Sequence, residues 1–81
     1  MNLKKNVAIS ETGFLFNPTS GDSYSLNPIG KEIVTLLQEN KTYEEVKTKI
    51  LSGYATDNDT FEKDYYDFIS MLKNYKLIEN A

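Results

Sequence analysis

The 81-residue sequence contains no cysteine, no histidine and no arginine. Without cysteine, the chain has neither a disulfide framework nor a thiolate metal site, which fits a reducing compartment. Without histidine, it lacks the commonest general base of enzymes and the commonest ligand of borderline metals. No side-chain nucleophile stands beside a recognisable base either. We therefore predict a protein that is not an enzyme and that binds no metal or other cofactor.

Positive charge is scarce as well. The sequence has nine lysines and 12 acidic residues, which gives a formal net charge of −3. A nucleic-acid-binding surface normally has the opposite balance and uses arginine forks, so we expect no nucleic-acid partner. Long apolar runs are also missing. No window approaches the ~18 apolar residues of a membrane span, and no signal-peptide run follows the N-terminal lysines. The expected location is the cytoplasm, with no contact to a membrane.

The length of the chain bounds its organisation. A chain of 81 residues has the size of one domain and buries only about 60–65% of its unfolded surface. No internal repeat, low-complexity tract or interdomain linker divides it. We therefore predict a single domain spanning residues 1–81.

The first recognisable element is a β-hairpin. On its first strand, roughly Gly13 to Asn17, Phe14 and Phe16 alternate with Leu15 and Asn17. This period of two is typical of a half-buried strand. Proline, serine, glycine and aspartate follow in one short segment, and these are the residues that turns use.

The second strand of the hairpin is predicted from Asp22 to Leu26, where Tyr24 and Leu26 alternate with serines. Another short strand, from Asn6 to Ser10, precedes the hairpin. The three strands together form a small antiparallel meander. Its free edge is either the first strand or the third.

Capping residues mark the starts of two helices. Asn27 followed by Pro28 combines an N-cap side chain with a proline at the first helical position, where no amide proton is needed. Thr42 and Glu45 form a capping box, so a second helix begins at Tyr43. Both segments carry apolar residues at helical spacing.

A third helix is predicted from about Thr60 to Tyr75, with Asp59 as its N-cap. Its apolar face is wide enough to contact more than one neighbour. We expect the centre of this face to lie in the core; it consists of Phe61, Phe68 and Leu72. After the helix, a short apolar tail over 76–79 either pairs as a strand or caps the core.

The order of elements predicts an α+β, winged-helix-like fold, with an N-terminal three-stranded antiparallel sheet followed by three helices. In the usual DNA-binding version of this fold the hairpin follows the helices. Here it comes first.

These segments, in this order, resemble the PqqD-like family, the small winged-helix modules called RiPP recognition elements. The resemblance spans about Val7 to Ile78. It rests on four stretches, which are Gly13–Phe16, Gly21–Gly30, Thr42–Val46 and Asp64–Leu72 leading to Leu77 and Ile78.

The resemblance implies a non-catalytic peptide chaperone. Members of the family bind the leader segment of a ribosomally synthesised precursor peptide and present its core to a modifying enzyme, often a radical SAM enzyme. The leader adds as an extra strand beside the third strand, with its apolar side chains in a groove between that strand and the third helix. The expected partners are therefore the precursor peptide and the modifying enzyme. An open strand edge also permits either a monomer or a weak dimer.

A free third strand would be a template for β-augmentation, in which main-chain bonds supply affinity and alternate pockets supply specificity. The other interpretation is that its apolar residues serve only the core of a small sheet with a short edge. The candidate peptide-binding residues on the strand are Asp22, Ser23, Tyr24, Ser25 and Leu26. Those on one margin of the third helix are Tyr65, Tyr66, Ile69 and Lys73. The sequence does not fix which margin of the helix faces the strand.

Two other functions remain open. A winged-helix nucleic-acid-binding or transcription-related domain would share the fold, although the net charge, the missing arginine and the acidic third helix oppose it. A structural subunit could use the same groove to dock a tail of its own enzyme.

Overall fold

The computed structural model describes residues 2–79. Over that range the chain forms β1 (Asn2–Leu3), β2 (Ala8–Ile9), β3 (Phe14–Asn17), β4 (Asp22–Ser25), α1 (Pro28–Gln38), α2 (Tyr43–Gly53), α3 (Asn58–Asn74) and β5 (Ile78–Glu79). The strands β2, β3 and β4 form one antiparallel sheet in that order. The predicted α+β, winged-helix-like architecture, with this sheet followed by three helices, is confirmed.

A second sheet of two strands joins the ends of the described chain. β1 pairs antiparallel with β5, and Leu3 lies opposite Ile78. Both side chains are buried, and the N–H of Lys4 donates to the carbonyl of Leu77 at 2.9 Å. Of the two alternatives that the sequence left open for the C-terminal tail, the tail therefore pairs as a strand. Its partner β1 was not predicted.

Two glycines with positive φ flank β3, Gly13 in the turn from β2 and Gly21 in the turn to β4. Gly13 has φ +92° and Gly21 has φ +80°, both in the left-handed region that favours glycine. A Cβ at Gly13 would also lie 3.1 Å from the carbonyl oxygen of Leu26. With these turns, Leu15 lies opposite Tyr24 across the ladder.

The two faces of β3 have opposite environments. Leu15 is fully buried and Asn17 is 8% exposed, whereas Phe14 and Phe16 are 52% and 42% exposed. The Asn17 side chain accepts a hydrogen bond from the Thr19 N–H in the following turn, which explains why a polar residue is tolerated at this buried position. The side of β3 that faces the core therefore carries Leu15, and the two larger phenylalanines lie on the solvent side.

The caps of α1 and α2 are confirmed as predicted. The Asn27 side chain accepts a hydrogen bond from the Gly30 N–H at 2.7 Å. The capping box is complete, because Thr42 accepts from the Glu45 N–H while the Glu45 carboxylate accepts from the Thr42 N–H. These bonds also lower the pKa of Glu45 below its ordinary value.

The predicted N-cap of α3 is wrong. The helix begins at Asn58, and its cap is Asp57, whose carboxylate accepts from the Thr60 N–H at 2.7 Å. Asp59 instead lies within the first helical turn, where its negative charge complements the helix dipole. Asp57 and Asp59 both carry a side chain that can cap a helix, and in the structure Asp57 is the N-cap.

The core lies between the inner face of the β2–β3–β4 sheet and the three helices. On α3, the core residues Phe61 and Leu72 are buried as predicted, whereas Phe68 is only partly buried. Over residues 2–79, no helix is long and apolar enough to cross a membrane.

We predict that Leu15→Ala lowers the free energy of unfolding by about 2–5 kcal/mol, because it removes a fully buried side chain from the core. Phe14→Ala is the matched control on the same strand, and its half-exposed ring should cost about 1 kcal/mol or less. Chemical denaturation of both variants measures the difference. A loss for Phe14→Ala as large as that for Leu15→Ala would contradict the assignment of the two faces.

We also predict that Asp57→Ala lowers the melting temperature by a few degrees, whereas Asp59→Ala changes it little. The hydrogen bond from the Thr60 amide lowers the pKa of Asp57 below its ordinary value of 3.8. The cap therefore contributes fully above that value, and its contribution is lost as the pH falls through the lowered pKa of the folded protein. Thermal melts should show a constant gap between wild type and Asp57→Ala from neutral pH to about pH 4 and a shrinking gap below. A gap that widens in acid would contradict this account.

Candidate functional site

The strand β4 forms one edge of the three-stranded sheet. The N–H of Leu26 donates to the carbonyl of Gly13 at 2.8 Å, which fixes the phase of the β3–β4 ladder. In an antiparallel ladder, alternate residues direct their N–H and C=O groups to opposite sides. Tyr24 therefore bonds to β3, while the main-chain groups of Ser23 and Ser25 point away from the sheet.

The opposite edge of the sheet, at β2, is partly occupied. The N–H of Val7 donates to the carbonyl of Lys4 at 3.1 Å, and the Val7 carbonyl accepts from the Gln38 side chain at 3.5 Å. By contrast, no hydrogen bond within residues 2–79 reaches the outward main-chain groups of Ser23 and Ser25. Of the two edges that the sequence left open, β4 is the longer and the less obstructed.

The side chain of Tyr24 connects β4 to the C-terminal end of α3. It lies on the inner face of the sheet with Leu15, and its ring centroid is 4.5 Å from that of Tyr75. Burial, together with the negative charge of Asp22, raises the pKa of Tyr24 above its ordinary value. Its ring presents an aromatic surface next to the open edge.

A surface pocket of about 280 Å³ continues this wall beyond the end of β4. It lies between the start of α1 and the middle of α3. A Cβ at Gly30 would lie 3.1 Å from Asn27 Oδ1 and 3.4 Å from the ring of Phe68, so the glycine permits the close approach of the two helices. The pocket is lined by Asn27, Ile29, Gly30, Ile33, Asp64 and Phe68.

The other margin of α3 faces α2. Tyr66 stacks on Tyr43 of α2 with ring centroids 6.0 Å apart, and Tyr65 meets the same ring edge-on at 5.0 Å. The Tyr43 hydroxyl donates to the Glu62 carboxylate at 3.2 Å. Burial, followed by the charge of Glu62, raises the pKa of Tyr43 to about 12. Aromatic contacts thus attach this margin to α2.

The predicted site residues fall into two groups that the structure does not bring together. The strand residues line the open edge as one segment: Asp22, Ser23, Tyr24 and Ser25 form β4, and Leu26 follows directly. The four helix residues lie on the margin of α3 that faces α2. There Tyr65 and Ile69 are buried, at 5% and 3% exposed, while Tyr66 and Lys73 are exposed. Contact of these four with a peptide stays a prediction.

On the β4 side lie Phe68 of α3 and Tyr75, the residue that caps the C-terminus of α3. Both belong to the apolar face that the sequence indicated, and their spacing of seven residues places them on the same side of the helix. Tyr75, which is 47% exposed, was not predicted as a site residue. Tyr75 is a candidate site residue because its ring is exposed and contacts Tyr24 of the open strand. Within the part of the chain that the structure describes, no group of acidic side chains is arranged to hold a metal ion.

Fold and edge together define a small winged-helix-like module with one open strand beside an aromatic helix face. A solved structure of the same architecture is described as TbiB1 in complex with the TbiA(beta) leader peptide. It superposes with a TM-score of 0.87 at 30% sequence identity, covering 100% of this chain and 98% of that chain.

The sequence also matches the family described as Coenzyme PQQ synthesis protein D (PqqD), over residues 12–78. The chain belongs to the PqqD family, which confirms the resemblance drawn from its sequence. Among curated protein sequences, no significant match to this chain is found.

We predict that amide hydrogen exchange distinguishes alternate residues of β4. The Tyr24 amide should exchange slowly because it bonds to β3, whereas the Ser23 and Ser25 amides should exchange rapidly because they face solvent. Exchange measured by NMR on the free protein tests this pattern. Protection of Ser23 and Ser25 with rapid exchange at Tyr24 would contradict the register.

Proposed function

We propose that this protein is a RiPP recognition element that binds the leader segment of a ribosomally synthesised precursor peptide. The observation that carries the proposal is the open edge of β4, whose free main-chain groups lie beside an aromatic wall. The complex of the similar protein TbiB1 with a leader peptide supports it, as does membership of the PqqD family.

In this proposal the peptide adds to the sheet as a fourth strand. Ser23 and Ser25 together offer two N–H donors and two carbonyl acceptors, enough for four main-chain hydrogen bonds. Peptide side chains that point inward, on the Tyr24 side of the sheet, then lie over Phe68 of α3 and over Tyr75 at its C-terminal cap. This is β-augmentation, in which the groove beneath the strand reads every second side chain.

Magnitudes indicate which part of this contact decides specificity. Four net hydrogen bonds contribute about 2–6 kcal/mol, which is similar to the lower estimates for the cost of association, about 4 kcal/mol or more. A micromolar complex requires about 8 kcal/mol of net binding free energy. Burial of apolar peptide side chains in the groove must supply the difference, at roughly 1.5–3 kcal/mol for each large side chain.

The role proposed for the chain is to bind and present, and not to catalyse. The chemistry then belongs to a partner enzyme, for which a radical SAM enzyme is the expected class in this family. Because ribosomal precursor peptides are made in the cytoplasm, we expect the complex to form there. The cysteine-free sequence is compatible with that compartment.

Titration of the ¹⁵N-labelled protein with the leader of the precursor peptide encoded beside its gene tests the proposal. The Ser23 and Ser25 amides should become protected from exchange when the peptide binds, and resonances of β4, Phe68 and Tyr75 should shift. No binding at millimolar peptide, or shifts confined to the α2 side of α3, would contradict it.

A matched pair of variants isolates the main-chain contact. Ser25→Pro removes the outward N–H while leaving the β3–β4 bonds intact, because proline is tolerated on an edge strand where its nitrogen faces solvent. We expect it to weaken peptide binding on the order of tenfold. Ser25→Ala keeps the N–H and should bind as the wild type does. Circular dichroism of both variants controls for the fold.

A further inference from the structure

Two large aromatic side chains on the outer face of the sheet have no role in the core or in the groove. Phe14 and Phe16 project from β3, the central strand, on the side opposite Leu15. They are 52% and 42% exposed. Two exposed phenylalanines side by side on a central strand are unusual for a surface with no partner.

Their exposure follows from the small residues on the neighbouring strands. Across the ladder, Phe14 lies opposite Ser25 and Phe16 lies opposite Ser23. On the other side, Phe16 lies opposite Ala8. The serines that leave the two rings uncovered are the same two residues whose main-chain groups form the open edge.

We propose that Phe14 and Phe16 form an outer wall that contacts the outward-facing side chains of the bound peptide. The inference rests on the function proposed above and extends it to the opposite face of the sheet. The protein would then contact side chains on both faces of the peptide strand, through the groove on the inner face and through the two phenylalanines on the outer face. It would select leaders with consecutive apolar residues instead of leaders that are apolar only at every second position.

The spacing of strands permits this contact. Neighbouring strands lie about 4.7–4.9 Å apart, so an added strand lies about 10 Å from β3, with β4 between them. On the outer face of the sheet, Ser23 and Ser25 then lie between the side chains of the added strand and the rings of Phe14 and Phe16. Because serine is small, a phenylalanine ring of β3 can extend over it and contact a large apolar side chain of the peptide. A bulky residue at either serine position would prevent that contact.

The size and position of the patch favour a peptide over a second copy of the chain. Two half-exposed phenylalanine rings offer on the order of 200 Å² of apolar surface, whereas a stable dimer buries about 800 Å² on each partner. The patch is bordered by the open β4 edge on one side. On the other side the β2 edge is already engaged by Lys4 and Gln38. A strand added at β4 is separated from the two rings only by Ser23 and Ser25, so it can contact them without an additional interface.

The first test is selection from a displayed library of random 12-residue peptides, on the wild type and on the double variant Phe14→Ser/Phe16→Ser. Wild-type protein should enrich peptides with apolar residues at consecutive positions. The double variant should enrich apolar residues only at alternate positions, those that face the groove. The same pattern with both proteins would overturn the proposal.

The second test is a double-mutant cycle with the peptide most enriched on the wild type. Serine replaces the peptide's outward apolar residue opposite Ser25, and affinities are measured for both proteins. We expect about a tenfold loss with the wild type and less than a twofold loss with the Phe14→Ser/Phe16→Ser variant. Equal losses with both proteins would contradict contact with the rings. If the double variant does not fold, the single variant Phe14→Ser takes its place, because Phe14 is the ring across the ladder from Ser25. Absence of any loss with the wild type is by itself decisive.

The outcomes separate the two proposals. If no enriched peptide protects the Ser23 and Ser25 amides, the proposed function fails and the outer wall fails with it. If peptides protect these amides without any selection at outward positions, only the outer wall fails. If sedimentation shows a wild-type dimer that Phe14→Ser/Phe16→Ser converts to a monomer, a second copy covers the patch and the proposal is overturned.

Discussion

The pairing of Leu15 with Tyr24 determines what each surface of the sheet presents. Gly21, with positive φ, lies in the turn that joins β3 to β4, and the Gly13 carbonyl accepts from the Leu26 N–H at the other end of this ladder. A slip by one residue would turn every side chain of β4 to the opposite face. It would also turn the main-chain groups of Ser23 and Ser25 toward β3, so that the free main-chain groups of the edge would belong to Tyr24 instead. One register therefore places the aromatic groove on one face, the free hydrogen-bonding groups at the edge, and the exposed phenylalanines on the other face.

The helical half of the fold was largely predictable from local chemistry. N-cap side chains act on amides three residues away, so Asn27 and Thr42 mark helix starts without knowledge of the rest of the chain. The start of α3 shows the limit of this argument. Asp57 and Asp59 both offer a carboxylate at a suitable spacing, and local chemistry alone does not choose between them. The choice of Asp57 lengthens α3 at its N-terminus.

The faces of the elements were less predictable, because alternation and helical spacing divide residues into sets without saying which set is buried. On β3 the smaller Leu15 is buried and the larger phenylalanines are not. On α3 both margins are apolar, and the sequence could not say which one meets β4. Contacts distant in sequence decide this: Tyr43 of α2 packs on Tyr66, and Tyr24 packs on Tyr75. The sequence thus identified β4 as one of two possible edge strands, but it did not identify which margin of α3 faces that strand.

The central claim is that a leader peptide lengthens the sheet at β4. The most direct measurement is a set of intermolecular nuclear Overhauser effects in the complex of the ¹³C,¹⁵N-labelled protein with unlabelled leader peptide. Because the Tyr24 main-chain N–H and C=O face β3, its Hα points to the open edge. The account predicts strong effects between the Tyr24 Hα and backbone protons of the peptide. Effects only to Tyr43 and Tyr66, on the α2 side of α3, would contradict it.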